Sequence, residues 1–101
     1  MQNIYEDIAI IKNNDELFTE LFAYKDIKIE RIVSKSFKNG SWMLQDHDEW
    51  TVLIKGEALL EFNDRNVSLK AGDHIFIKAH EAHRVLETSE SALWLAVHFK
   101  N

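Results

Sequence analysis

Apolar and polar residues alternate with a period of two from Asp26 onward, which is the pattern of β-strands with one buried face. Ile27 and Ile29 begin a first long strand that is predicted to end near Ser36. Further strand-like stretches follow at residues 42–45, 50–55, 58–62, 67–69, 74–78, 83–88 and 92–99, separated by polar turn residues and a few glycines. Many short strands at a spacing of roughly 8–12 residues predict an all-β fold, either a sandwich or a closed barrel.

The segment before these strands has a helical spacing instead. Residues 13–16 supply a capping side chain and first-turn acids, and the apolar residues that follow recur as one face of a helix: Leu17, Phe18, Leu21 and Phe22. This pattern predicts a short helix over residues 15–23. We therefore expect one domain over residues 1–101, with residues 1–26 forming an N-terminal arm and helix and residues 27–101 forming the barrel.

The composition is that of an ordinary globular protein. Apolar residues make up 46% and charged residues 29% of the 101 residues, which excludes disorder and fits a single core. Lys and Arg number 12 against 17 Asp and Glu, a formal net charge of −5. This balance predicts no general affinity for nucleic acid or for anionic membranes. No apolar run approaches the roughly 18 residues needed to cross a bilayer.

The residue inventory restricts both the compartment and the chemistry. The sequence begins without the basic and then apolar pattern of a signal peptide, so a cytoplasmic protein is predicted. Cysteine is absent, which excludes disulfides, thiolate ligands and thiol nucleophiles. Any reaction must therefore depend on the five histidines, on carboxylates or on hydroxyl groups.

Polar groups with such chemistry gather at three places inside the strand pattern. They are the bend at residues 45–49, the strand junction at residues 80–84, and His98 in the apolar last strand. Strand parity places Glu49 on one face with alternate apolar residues, and it places His83 on one face with Val85. Histidine and carboxylate are common metal ligands, and strand ends on a barrel bring distant segments together.

At these positions the chain resembles the cupin superfamily. Glu49, followed by six residues and Gly56, is similar to the end of the first cupin motif, G-x5-H-x-H-x3/4-E-x6-G. The segment from Gly72 to His83 resembles the second motif, with His80 and His83 near its end. The resemblance covers about residues 29–99 and is strongest to small single-domain bacterial cupins with Q-x-x-x-E-W and A-H-x-x-H-R-V motifs. It implies a single jelly-roll barrel and a homodimer. Barrel closure removes most sheet edges, so the N-terminal strand is the natural contact element of such a dimer.

The chain departs from the family at the two histidines of the first motif. With three residues before the motif glutamate, those positions fall on Met43 and Gln45. With four residues, they fall on Trp42 and Leu44. Neither register supplies a histidine, so the family's usual set of three histidines and one glutamate is reduced to two members.

The resemblance nevertheless implies a divalent metal, such as zinc, iron, nickel or manganese, in the barrel interior. His83 and Glu49 keep the motif positions and are the first predicted ligands. Gln45, His98 or His47 would supply the rest, although each also has an ordinary structural interpretation as a core or bend residue. Without a metal, a buried Glu49 would have to pair with a histidine or an arginine, because an unpaired buried carboxylate is costly.

Four further residues are predicted to contact a small ligand. Trp42 or Trp50 could form an aromatic wall at the pocket mouth, and His80 is placed at the rim. Arg84 either orients a carboxylate substrate through paired hydrogen bonds or forms a salt bridge with an acidic residue at position 81 or 87.

These residues support three functional hypotheses. The first is a small-molecule-binding cupin with a divalent metal, which could perform metal-assisted chemistry on a small organic acid or a carbohydrate. The second is a metal-free module that binds or senses a small molecule. The third is a dimeric scaffold whose polar interior residues have no ligand.

Overall fold

The computed structural model describes residues 3–8 and 11–100, and it confirms the all-β prediction. Eight strands form two antiparallel sheets with the orders β1-β2-β8-β3-β6 and β5-β4-β7. The strands are β1 (Asp15–Tyr24), β2 (Ile27–Lys35), β3 (Asp48–Lys55), β4 (Glu57–Phe62), β5 (Asn66–Lys70), β6 (His74–Ile77), β7 (His83–Thr88) and β8 (Ala92–Phe99). No helix of the described residues is long and apolar enough to span a membrane.

The two sheets enclose one apolar core to which both contribute. Leu53 of β3 and Ala92 of β8 are completely buried, and Trp94 is 4% exposed. Leu60, Phe62 and the other inward residues of the three-stranded sheet complete this cluster from the opposite side. The alternation predicted for β3 is confirmed, because Glu49, Thr51 and Leu53 are buried and the residues between them are less so.

The predicted helix over residues 15–23 is wrong, because these residues form strand β1. This strand pairs with β2 from Asp15 opposite Lys35 to Tyr24 opposite Ile27, with a bulge between Glu20 and Phe22. A bulge adds one residue to a strand and reverses the faces beyond it. Apolar residues on both faces of a bulged strand therefore produced a spacing that resembles one face of a helix.

The predicted strand at residues 42–45 is also wrong. This segment contributes only an isolated bridge, in which Met43 pairs with His83 of β7. Both backbone hydrogen bonds of the bridge form: Met43 N–H donates to the His83 carbonyl over 2.7 Å, and His83 N–H donates to the Met43 carbonyl over 3.1 Å. The bridge holds the segment against the edge of the three-stranded sheet.

Residues of the N-terminal segment 3–8 contact the outer face of the five-stranded sheet. Arg31 of β2 is 3% exposed, and its Nη1 donates hydrogen bonds to the backbone carbonyls of Ile4 and Glu6. Val33 and Leu93, which are opposite each other on the same face, are 1% exposed. The segment 3–8 is thus bound to the sheet through a buried guanidinium rather than through a helix.

Candidate functional site

A small cavity lies between the two sheets. Its volume is about 40 Å³ and most of its lining is apolar, with side chains that include Phe18, Met43 and Trp94. Glu49 and His83, the first two predicted metal ligands, also line it. Pockets for drug-sized molecules have about 300–1,000 Å³, and one water occupies about 30 Å³ in the liquid. The cavity therefore fits a ligand, or part of a ligand, of only a few heavy atoms.

His83 presents a hydrogen-bond acceptor to this cavity. The residue is 3% exposed, and its Nδ1 lies 2.9 Å from the backbone carbonyl of Glu81. A carbonyl only accepts, so Nδ1 carries the hydrogen and Nε2 of the neutral ring keeps its lone pair. Nε2 has no hydrogen-bond partner within the described residues.

Glu49 lies in the cavity without a hydrogen-bond partner. The residue is 7% exposed, and among the described residues the closest group that can carry a positive charge is His98, whose Nδ1 is 3.9 Å from Oε1 of Glu49. That distance exceeds a normal hydrogen bond. Glu49 is therefore held by one long charged contact within the described chain, and its carboxylate is available to accept hydrogen bonds from a ligand.

His98 and His47 form a hydrogen-bonded chain beside the cavity. Nδ1 of His98 lies 2.9 Å from Nε2 of His47, and Nε2 of His98 lies 3.1 Å from Oε1 of Glu30. At the outer end, Nδ1 of His47 lies 3.2 Å from Oδ1 of Asp46. Ionised carboxylates only accept, so each terminal ring nitrogen carries a hydrogen, and a third hydrogen joins the two rings. The pair is therefore held at both ends by carboxylates.

This pairing lowers the pKa values of both flanking carboxylates. The hydrogen bond from His98 is the largest cause for Glu30, where it outweighs burial, and nearby Lys28 adds to it. For the exposed Asp46 the largest cause is the hydrogen bond from His47. Neither residue was predicted to have a role at the sequence level.

We expect Glu30→Gln to reduce the dependence of stability on pH in acid. The pKa of Glu30 is lowered from its ordinary value of 4.5 in the folded protein. A carboxyl group of this kind stabilises the fold above its unfolded pKa, and the contribution is lost as the pH falls through the folded pKa. The free energy of unfolding, measured by urea titration between about pH 6 and pH 3, should fall less steeply in the variant than in the wild type.

Glu90→Gln removes one exposed carboxylate from the turn before β8 and serves as the control for loss of charge alone. Equal slopes for Glu30→Gln and the wild type would show that the ion pair between His98 and Glu30 does not contribute to acid stability.

Glu16 is a cavity residue that the sequence interpretation missed. It lies on β1 and lines the cavity together with Phe18. The indole nitrogen of Trp94 can only donate, and it does so to Oγ of Ser34 over 3.1 Å, which leaves the Ser34 hydroxyl to donate to Glu16 over 2.6 Å. Burial raises the pKa of Glu16, and the bond from Ser34 opposes this effect. A strand prediction at residues 15–24 would have placed Glu16 and Phe18 on one face.

The four residues predicted to contact a ligand lie outside the cavity. Trp50 is on the opposite face of β3 from Glu49, and its indole nitrogen donates to His74 over 3.3 Å. His80 is exposed at a positive φ of 66° and lines a separate surface cavity of about 360 Å³. Trp42 is 47% exposed and lies against Arg84.

Arg84 forms its ion pair with a residue that the sequence did not indicate. The predicted partner was an acidic residue at position 81 or 87, but Nε and Nη2 of Arg84 both lie 2.7 Å from Oε1 of Glu61 on β4. Glu61 is directly opposite Arg84 in the register of β4 and β7, so the pair is a cross-strand contact. Because the guanidinium is occupied and faces away from the cavity, it does not orient a ligand there.

The predicted metal ligands do not assemble as a set. Among the described residues, no group of three or more His, Cys, Asp or Glu side chains is placed to hold a metal ion. His98 and His47 use their ring nitrogens on each other and on carboxylates, and Gln45 is outside the cavity lining, with its buried Nε2 unpartnered. His83 and Glu49 remain, whereas catalytic zinc sites use three protein ligands. The donor set therefore does not fit the predicted ion.

Comparison with known proteins identifies the relatives of this chain. A provisionally named mannose-6-phosphate isomerase from Ralstonia eutropha JMP134 is 33% identical, with a TM-score of 0.85 over 100% of this chain and 98% of that chain. A cupin-2 domain protein from Shewanella frigidimarina NCIMB 400 is 16% identical, with a TM-score of 0.78 over 97% and 93% of the two chains.

Clostridium difficile EutQ shares the fold at 18% identity, with a TM-score of 0.73 over 84% of this chain and 68% of that chain. A comparison with curated proteins finds no match. The family model of the cupin domain matches residues 36–98. This range includes strands β3 to β7 and all of β8 except its last residue. The chain belongs to the cupin family.

Proposed function

We propose that this cupin binds a small molecule in its interior cavity without a resident metal. The observation that carries the proposal is Glu49, a buried carboxylate that lines the cavity and has no hydrogen-bond partner among the described residues. Nε2 of His83 lines the same cavity with an unused lone pair. A ligand with hydrogen-bond donors would satisfy both groups and offset the cost of burying them.

The competing proposal keeps a divalent metal, either zinc, iron, nickel or manganese, on His83 and Glu49. In its favour, these two side chains line one cavity and leave suitable donor atoms free. It requires at least one further ligand that the described side chains do not supply. Metal-assisted chemistry on an organic acid or a sugar belongs to this second proposal.

Thermal unfolding of protein purified without an affinity tag distinguishes the two proposals. We expect thermal unfolding to shift upward with at least one member of a panel of small probes of different charge: ethylammonium, ethanol, acetamide and acetate. The shift should be the same with and without EDTA, since a ligand that binds only the native state stabilises it by mass action. His83→Ala should abolish the shift, and His74→Ala, which changes an exposed histidine on β6, should keep it.

Elemental analysis tests whether the purified protein contains a metal. Near-stoichiometric metal in the wild type that is lost in both His83→Ala and Glu49→Gln would overturn the metal-free proposal and support the competing one. Absence of both metal and ligand-dependent stabilisation would favour the scaffold hypothesis.

We also propose that two copies associate through β1, in the cytoplasm, with residues 1–101 acting as one domain. β1 is an edge strand of ten residues, and Phe22 and Tyr24 beyond its bulge are 55% and 59% exposed. A long apolar edge of this kind is a template for pairing with another strand. Sedimentation equilibrium of the wild type should give a dimer, and Phe22→Glu should give a monomer.

A further inference from the structure

The described lining of the interior cavity includes two carboxylates and one histidine but neither lysine nor arginine. The two carboxylates belong to Glu16 and Glu49. The histidine that lines it, His83, presents a lone pair because its hydrogen is used on the Glu81 carbonyl. All three groups therefore offer acceptors or negative charge, and a ligand that matches them must supply hydrogen-bond donors and positive charge.

The histidine nearest to Glu49 already has hydrogen-bond partners on both ring nitrogens. The ring pair of His98 and His47 lies between Glu30 and Asp46, and the distance from His98 Nδ1 to Glu49 is 3.9 Å. The hydrogen on that side of His98 is shared with His47 rather than with Glu49. Glu49 is thus more than nine-tenths buried, lines the cavity, and has within the described chain no hydrogen bond and a single charged contact, at 3.9 Å from His98.

Glu16 adds a second anionic acceptor with a fixed orientation. Trp94 donates a hydrogen bond to Ser34, and Ser34 donates one to Oε2 of Glu16. Oε1 of Glu16 has no hydrogen bond among the described residues. Burial raises the pKa of this carboxyl group, and the hydrogen bond from Ser34 opposes that effect. A positively charged donor in the cavity would favour the carboxylate form in the same way as the Ser34 bond.

The remaining walls favour a small apolar body. Phe18 and Trp94 are aromatic, and Ile32, Leu60 and Val85 are aliphatic. Aromatic faces attract organic cations, and apolar walls favour a hydrocarbon part over a hydrated inorganic ion. Phe18 is both half-exposed and part of the lining, so the cavity reaches the surface beside β1.

We propose that the cavity selects a small primary ammonium compound, whose ammonium group donates hydrogen bonds to Glu49 and to Nε2 of His83 and whose short apolar body lies against Phe18 and Trp94. This inference rests on the proposed function, because it names the ligand class of the same cavity. It excludes organic acids and phosphorylated sugars as occupants, since two carboxylates repel anions at close range in a medium of low dielectric. It also assigns Glu16, which no motif indicated, as a specificity-determining residue.

The test measures binding of three probes of similar size and different charge by calorimetry at constant ionic strength: ethylammonium, ethanol and acetate. We expect the wild type to bind ethylammonium at least about tenfold more tightly than ethanol and to bind acetate least, because hydrogen bonds between charged groups are stronger than those between neutral groups. Glu49→Gln keeps the shape of the side chain, and we expect it to weaken ethylammonium binding by about ten- to a hundredfold without weakening ethanol binding. Glu90→Gln, on the surface, should leave all three affinities unchanged.

The outcomes separate this inference from the function on which it rests. Binding of ethanol or acetate that equals or exceeds ethylammonium binding and is abolished by His83→Ala would overturn the ammonium proposal and preserve a ligand-binding cavity. No binding of any probe would overturn both. Zinc chloride binding that requires Glu49 and excludes ethylammonium would overturn the proposal in favour of a metal. If Glu49→Gln does not fold, two other measurements test the ammonium proposal. They are the order of the three probe affinities in the wild type and the same affinities in Glu16→Gln.

Discussion

Gly56→Ala is expected to lower the free energy of unfolding by more than about 3 kcal/mol, because it combines backbone strain with a clash against the backbone. Gly56 joins β3 to β4 at a φ of 90°, a conformation that residues with a Cβ rarely adopt. A Cβ built there would lie 2.3 Å from the carbonyl oxygen of Ser91 and 3.0 Å from Cα of Ala92. These are backbone atoms and cannot move aside by a side-chain rotation.

The clash would also displace a turn that other strands need. Oγ of Ser89 would lie 2.7 Å from the new Cβ, and it accepts a hydrogen bond of 3.0 Å from the Glu57 N–H at the start of β4. Movement of this turn would therefore affect both β4 and the entry to β8. Urea unfolding, or a loss of soluble folded protein on expression, measures the effect.

Gly72→Ala is the matched control. Its φ is 95°, but a Cβ there would meet nothing within 4 Å. Only the backbone strain remains, and we expect a loss of about 1–2 kcal/mol. Equal losses in the two variants would show that the contact with Ser91 is not the reason that position 56 requires glycine.

Trp94→Ala is expected to cost about 3–5 kcal/mol, which is typical for removal of a large buried aromatic side chain. Trp94 is 4% exposed and belongs to the core cluster between the sheets. The substitution also removes the N–H that donates to Ser34. It therefore enlarges the cavity and loosens the chain of donors that ends on Glu16. Urea unfolding at neutral pH measures the free energy.

Two further variants separate packing from hydrogen bonding. Trp94→Phe keeps most of the ring and removes the N–H, so we expect a smaller cost of about 1–3 kcal/mol from the lost bond and volume. Trp42→Ala removes a tryptophan that is 47% exposed and should cost no more than about 1 kcal/mol. A loss in Trp42→Ala as large as that in Trp94→Ala would contradict the burial of these two side chains.

The strands from β3 onward could be predicted because their sequence signals are local. Polar turns and Gly56 mark the strand ends, and the alternation of Glu49, Thr51 and Leu53 states directly which side chains are buried. The N-terminal strand could not be predicted in this way. Its bulge after Glu20 reverses the alternation, and the partner that imposes an extended conformation on it is β2.

The sequence motif predicts two residues of the candidate site, whereas the positions of the others depend on the register of the strands. Glu49 and His83 were predicted from their motif positions, and both line the cavity. His98 lies directly opposite Glu49 because β8 pairs with β3 in that register, a relation that spans 49 residues of sequence and has no local signal. The contact between His47 and His98, and the role of Glu16, likewise follow only from which strands are neighbours.

The order of the five-stranded sheet determines when the protein can fold during its synthesis. β8 follows the other seven described strands in the sequence, but it lies between β2 and β3 and pairs with both along most of its length. The hairpin of β1 and β2 can form early, whereas the half of the sheet that carries Glu49 has no central neighbour until residues 92–99 have left the ribosome. The five-stranded sheet is therefore completed only after β8 has been made, whereas the three-stranded sheet consists entirely of earlier strands.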